Sequence, residues 1–136
     1  MVIRGAKALV LDAADNALIL RRSKTHPYVP FSQDLPGGKV EEGETMLEGL
    51  LRELREETSI ELEPDQPARV ASANVENYFG KNYYLELFVV HTDRRPSIVL
   101  DFEHDQADWI SLGQINLVEE DRYRSLIAEF IAERAA

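Results

Sequence analysis

Apolar residues along this chain follow two different periods. Ala6-Lys7-Ala8-Leu9-Val10-Leu11 and Ala17-Leu18-Ile19-Leu20-Arg21-Arg22 read as strands. Asp12 to Asn16 between them reads as a hairpin turn, because Asp and Asn side chains supply local turn hydrogen bonds. Further strands are predicted over 68–76, 82–91, 97–100 and Ala107–Leu112. In the second of these, Tyr84-Leu85-Glu86-Leu87-Phe88 partly alternates, and Val89-Val90 then continues the apolar run as in a central strand. A helical period takes over twice. Leu47, Leu50, Leu51 and Leu54 make one apolar stripe, which predicts a helix over 47–59. Thr45 and Glu48 form a capping box at its start, and it should stop near Thr58–Ser59, before Pro64. Tyr123, Leu126, Ile127, Phe130 and Ile131 predict a second helix from about Glu119. Residues 23–43 hold Pro27, Pro30, Pro36, Gly37, Gly38 and Gly43, which predicts a long ordered loop of the kind that carries function. There is no internal repeat. The expected class is α/β of the α+β type, a mixed sheet with helices on its faces.

Composition narrows the partners. A chain of 136 residues fits one domain, 1–136. With 25 Asp+Glu against 15 Lys+Arg the net charge is −10, which repels a polyanion at long range, so nucleic acid is not the expected partner. Small phosphates are still approachable if a divalent cation bridges the like charges. The absence of cysteine excludes disulfides, thiolate catalysis and cysteine-ligated zinc, and matches a reducing cytosol. Apolar runs such as Leu87–Val90 are too short to span a bilayer, and Met1-Val2-Ile3-Arg4-Gly5 leads into a strand without a secretory signal. A cytoplasmic protein with no membrane partner is expected.

The chemistry concentrates between Gly37 and Ile60. On the predicted helix, Glu53, Glu56 and Glu57 stand at i, i+3, i+4 and share one face. Like-charge pairs at this spacing each destabilise a helix by about 0.2–0.5 kcal/mol. They also lie in its C-terminal half, where the dipole disfavours anions. A hard divalent cation removes the conflict, since Mg²⁺ takes a few carboxylate oxygens and keeps positions for water and phosphate. The plain alternative is a solvated acidic face. Pro36-Gly37-Gly38 tips the balance toward a ligand, because it lets backbone approach closely. Gly49 lies one turn before Glu53, where it either leaves space or is merely tolerated at about 1 kcal/mol relative to Ala.

Gly38, Glu44, Arg52-Glu53-Leu54, Glu56-Glu57 and Ser59-Ile60, entered through Leu35-Pro36-Gly37-Gly38, resemble the Nudix box. The spacings match throughout, and the one departure is Ser59 where the motif has Gly. That Gly ends the helix, and a serine forced left-handed there would cost about 1–2 kcal/mol. A local change in the helix exit is therefore expected, without loss of chemistry. The resemblance implies an α/β/α sandwich around a mixed sheet, and hydrolysis of a nucleoside diphosphate linked to another group with Mg²⁺ or Mn²⁺. It implies Glu53 and Glu57 as main metal ligands, with Glu56 and the Gly38 carbonyl beside them. A homodimer would be common in the family.

Other roles are expectations of the same kind. Arg52 would serve structure by pairing with Glu44, and with Glu48 or Glu56. The general base would be Glu53, Glu56, or a carboxylate of a later loop, for which Glu103 is chosen as extra metal ligand or base; His104 reads as polar surface, as do His26 and His91. Arg22 and Lys39 are candidate phosphate-binding cations not already engaged with carboxylates, and Arg21 should point to the opposite face from Arg22. Tyr78, Phe79, Tyr83 and Tyr84 read as core more than as a stacking platform. A nucleoside triphosphate is the first expected substrate; dinucleoside polyphosphates, nucleotide sugars, ADP-ribose or a non-catalytic nucleotide sensor are the alternatives. An isoprenoid diphosphate isomerase of the same superfamily would need a cysteine, and a calcium site of the EF-hand type would need alternating loop ligands; the chain has neither.

Overall fold

The computed structural model describes residues 1–27, 29–115 and 121–135. Strand β1 (Val2–Leu11) runs through the middle of a seven-stranded mixed sheet. It lies parallel to β6 (Lys81–His91) over its whole length, from Val2 opposite Asn82 to Leu11 opposite His91. Its other edge is shared. Near its C-terminal end β1 meets β2 (Asn16–Arg22), and near its N-terminal end it pairs with β4 (Gly37–Lys39). β2 also pairs with the two-residue β3 (Gln33–Asp34) and with β7 (His104–Ser111), while β5 (Ala68–Tyr78) flanks β6 at the far edge.

Because both faces of the central strands are covered, β1 is apolar at nearly every position from Ala6 onward instead of alternating. Leu9 and Leu11 pack with Leu85, Leu87, Tyr123, Leu126, Ile127 and Phe130 under helix α2 (Asp121–Ala135). Ala6, Ala8 and Val10 pack with Leu18, Leu20, Leu50, Leu54 and Val90 under helix α1 (Met46–Thr58). The result is the expected sandwich of helix, mixed sheet and helix. The expected start of the second helix near Glu119 lies outside the described residues.

Three local expectations change. Residues 97–100 join no ladder. Their extended backbone caps α1 instead: Val99 N–H donates to the Thr58 carbonyl at 2.9 Å and Asp101 N–H to the Glu57 carbonyl at 3.1 Å, satisfying acceptors that a helix end leaves orphaned. The 23–43 loop contains β3 and β4, which are too short and too rich in Gly to show a period. Gly49 leaves no vacancy; a Cβ there would come within 2.8 Å of a Val40 methyl, so the glycine lets the loop pack onto the helix.

The caps hold as read. Thr45 Oγ1 accepts from Glu48 N–H at 3.1 Å, and Glu48 Oε1 accepts from Thr45 N–H at 2.8 Å. Asp12 Oδ1 accepts from the N–H groups of Ala14 and Asn16, both at 2.9 Å, which builds the hairpin turn. At the other end of α1 the expected change of exit does not occur. Ser59 takes the left-handed conformation itself, φ 62° and ψ 15°, and its N–H donates to the Arg55 carbonyl. The strain is retained because the next residues must turn back to bury Ile60. Ser59→Gly should therefore raise the melting temperature by about 2–5 °C, equivalent to roughly 0.5–1 kcal/mol after the extra chain entropy of glycine. Thermal unfolding checks this, and an unchanged or lower midpoint contradicts it.

Candidate active site

The glycine turn is pressed onto β1. Gly37 has φ +121°, and a Cβ there would lie 2.2 Å from the Ala6 carbonyl oxygen, so no side chain fits. The Pro36 carbonyl accepts from Ala8 N–H at 2.9 Å. In this position Gly37 N–H donates to Glu57 Oε1 at 2.8 Å. The Glu53 carboxylate lies against Gly38, whose missing Cβ would be 3.0 Å from Glu53 Cδ. The helix and the turn thus bring Glu53, Glu57 and Gly38 together.

The three glutamates of the acidic face differ in environment. Glu57 is 6% exposed, and burial pushes its carboxyl up to about 8 despite the nearby Lys7. Burial also raises Glu53, against the pull of Arg52. Glu56 is more open, with 55% of its side chain exposed. Arg52 knits the rest: Nε and NH2 bind Glu44 at 2.8 and 3.0 Å, NH1 binds Glu53 and Glu56 at 3.1 Å each, and NH2 also reaches the Lys39 carbonyl at 3.0 Å. Glu48 is occupied by the capping box.

Behind Glu57 lies a buried charge network that the sequence reading missed. Asp34 receives Lys7 Nζ at 3.0 Å, Arg22 NH2 at 2.9 Å and His104 Nε2 at 3.1 Å. Burial pushes Asp34 up, but Lys7, His104 and Arg22 outweigh it and hold the carboxyl far below its usual range. His104 is buried, which corrects its reading as surface. Burial pushes its imidazole down, and the bonds to Asp34 and Asp101 (Nδ1 to Oδ1, 2.9 Å) override this and raise it to about 9. Arg22 is also buried, with NH1 donating to Ser32 Oγ and the Gln33 carbonyl as well. The expectation of an Arg22 guanidinium not engaged with a carboxylate is therefore corrected: β3 places Asp34 beside it. A lysine inside an otherwise apolar strand was the available signal for Lys7.

Lys39 is exposed beside the glycines. Glu103 is exposed, and its carbonyl accepts from Ser23 N–H at 2.8 Å. Arg21 leaves β2 on the other side and forms a bidentate pair with Asp105. Phe79 is 87% exposed at the β5–β6 turn, whereas Tyr78 and Tyr83 are half-buried with the Arg122 guanidinium over both rings. Tyr84 donates to Glu86 at 2.6 Å. His26 Nδ1 accepts from Val29 N–H, and His91 is exposed.

Two places could be considered for a cation. Asp34, Glu57 and His104 offer ligand atoms within 4.8 Å of one another. Their chemistry argues against an ion, because Asp34 is already surrounded by cations and His104 holds a proton. Glu53, Glu57 and the glycine turn fit better: two carboxylates made unfavourable by burial, one against Gly38 and one bonded to the Gly37 amide. That donor set suits a hard divalent ion. A cavity of about 370 Å³ lies just beyond the C-terminus of α1, lined by Ser59, Leu62, His91 and Arg94 among others, and neither Glu53 nor Glu57 borders it.

Comparison with known proteins agrees with this geometry. Residues 1–132 match the family model of the NUDIX domain. A MutT protein from Methanosarcina mazei Go1 is similar in structure, with 27% identity, a TM-score of 0.83, and coverage of 99% of this chain and 96% of that one. The ORF135 protein of E. coli has 28% identity and a TM-score of 0.76 over 98% of this chain and 91% of its own. An m7GpppN-mRNA hydrolase, NUDT17, of Xenopus laevis is 44% identical over 59 residues, which is 43% of this chain and 20% of that relative. The match thus spans about a fifth of that curated relative's length.

The buried titrations set a pH dependence. The raised carboxyl of Glu57, about 8 against an ordinary 4.5, favours the fold fully below 4.5 and loses that contribution as pH rises through 8. The raised imidazole of His104, about 9 against 6.5, contributes fully below 6.5 and is lost as pH rises through 9. Asp34 stays ionised throughout this window. The metal-free protein should therefore melt at progressively lower temperature as pH rises from 6.5 to 9, and Glu57→Gln should flatten part of the slope. Calorimetry in a chelator checks both, and a midpoint that climbs with pH contradicts the assignment.

Proposed function

The chain belongs to the NUDIX domain family, and from that premise we propose that it hydrolyses a diphosphate linkage in a nucleoside diphosphate joined to another group, with Mg²⁺ or Mn²⁺ as cofactor. One observation carries the reading: Glu57 and Glu53 meet the glycine turn with their charged forms disfavoured by burial. A divalent ion is the partner that would make those charges favourable. Glu53, Glu57 and the Gly38 carbonyl would hold it, with Glu56 at the open side. When bound, it would neutralise phosphate charge, orient water and stabilise the leaving oxygen.

The chain's own residues supply the rest. Gly37 N–H fixes one oxygen of Glu57. Arg52 aligns Glu53 and Glu56 and softens the repulsion between them. Lys39, exposed next to Gly38, is the cation assigned to substrate phosphates. Arg22 drops out of that role because its guanidinium is turned to Asp34. The base that takes a proton from the attacking water is sought among Glu53, Glu56 and Glu103, of which Glu56 and Glu103 are exposed.

A nucleoside triphosphate, the smallest compound of the class, is put first as substrate. A second reading, a dinucleoside polyphosphate or capped end, is favoured by the 59-residue similarity to an m7GpppN-mRNA hydrolase. Phosphate release from a panel of triphosphates, dinucleoside polyphosphates, nucleotide sugars and ADP-ribose, with and without Mg²⁺, separates them. Glu53→Gln and Glu57→Gln should each lower kcat by about 10²-fold or more, as expected when several kcal/mol of charge stabilisation is lost. Saturating Mg²⁺ should also raise the melting temperature of the unsubstituted protein, by linkage worth about 2.7 kcal/mol at a hundred times Kd, and this gain should vanish in Glu57→Gln. A nucleotide that binds and is never cut with either metal would replace the hydrolase with a sensing module.

A further inference from the structure

We propose that Lys7 is a positioning residue for this site: its ammonium clamps the Leu35–Gly37 turn, and so holds the Gly37 amide on Glu57 and Gly38 against Glu53. The proposal rests on the catalytic reading above. Lys7 Nζ donates to Asp34 Oδ1 at 3.0 Å, to the Leu35 carbonyl at 3.0 Å and to the Gly37 carbonyl at 2.8 Å. An ammonium has three donors, and these are three acceptors. Lysine is rarely buried, yet here it is, on a strand whose next residues toward the C-terminus are fully buried and apolar.

Balancing Asp34 does not account for this arrangement. Arg22 and His104 already flank that carboxylate, at 2.9 and 3.1 Å. Two of the three Lys7 bonds go instead to backbone carbonyls of the turn. Gly37 is therefore anchored from both sides, its carbonyl by Lys7 and its N–H by Glu57. A turn containing Gly37 and Gly38 needs such anchoring. Glycine gives it the conformation that fits against Ala6, and the same freedom would let it drift when the anchor is lost. A displacement on the order of 1 Å at reacting groups can reduce rate by about 10²-fold.

Lys7→Met keeps the alkyl stem and removes the donors. It should lower kcat by about 10–100-fold with KM changed less than about threefold, weaken Mg²⁺ binding measured by titration calorimetry, and move the Gly37 amide resonance. Lys7→Arg should fail to rescue kcat, because a planar guanidinium cannot converge on three acceptors as an ammonium does. In the unsubstituted protein, the Lys7 ammonium should give a slowly exchanging ¹⁵N signal at room temperature, unlike exposed Lys24, Lys39 and Lys81, and should shift together with Gly37 on adding Mg²⁺. This last measurement needs no variant to fold and no substrate. The proposal is overturned if Lys7→Met only melts earlier with kcat and Mg²⁺ affinity intact, if Lys7→Arg restores kcat, or if the Lys7 ammonium exchanges as fast as the exposed lysines. If the unsubstituted protein cuts no nucleotide, the catalytic reading fails, and the paired Lys7–Gly37 response still decides the clamp.

Discussion

Between Gly37 and the carbonyl of Ala6 there is no room for a Cβ, and much of the site follows from that contact. The turn can lie flat on β1 only because Gly37 carries no side chain to hold it away. Once there, its amide reaches Glu57 across twenty residues of sequence, and its second glycine meets Glu53. Helix α1 is fixed in turn by Val40 seated against Gly49 and by Leu50 and Leu54 buried against the sheet. Backbone closeness at two points, turn on strand and loop on helix, sets the distance between carboxylates and glycines.

Such closeness buries charge, and the fold compensates one buried carboxylate directly. Around Asp34 it gathers Lys7, Arg22 and His104, so that the carboxylate is compensated several times over. A network of this kind is weak evidence for stability, since desolvation offsets much of the attraction, yet removing one member leaves an uncompensated charge and costs about 3–5 kcal/mol. Its contribution here is geometric. It joins β1, β2, β3 and β7 at the end of the sheet where the turn sits. Through Asp101, which bonds His104 with its side chain and the Glu57 carbonyl with its N–H, it also reaches the end of α1.

The sequence made the helices, the long strands and the acidic motif readable, because each repeats or spaces residues at a fixed period. Thr45 and Glu48 announced the start of α1, and Asp12 announced its turn. The short strands β3 and β4 carried no period. Residues 97–100 looked like a strand because they are apolar, but their backbone groups go to the helix end, a choice that depends on where α1 stops in space. His104 and Arg22 were misjudged for the same reason. Their partner Asp34 lies 70 and 12 residues away and gives no local signal. Lys7 carried a signal, a charge inside an apolar strand, but its meaning needed the turn to be in place.

The acidic face itself has a different basis from simple crowding. Three neighbouring glutamates would repel one another if equally exposed. Instead Arg52 lies between Glu44, Glu53 and Glu56 and relieves two of the three members of the face, while Glu57 turns inward to the Gly37 amide. The cost of burial falls most heavily on Glu57, which accepts from the Gly37 amide. Burial raises the Glu57 carboxyl to about 8. A divalent ion, if held here as proposed, would offset the burial of Glu57 more than it would relieve repulsion along the helix. The stability lost by burying a carboxylate there would make the site receptive to such an ion, and the same burial would strengthen the charge interactions made with it.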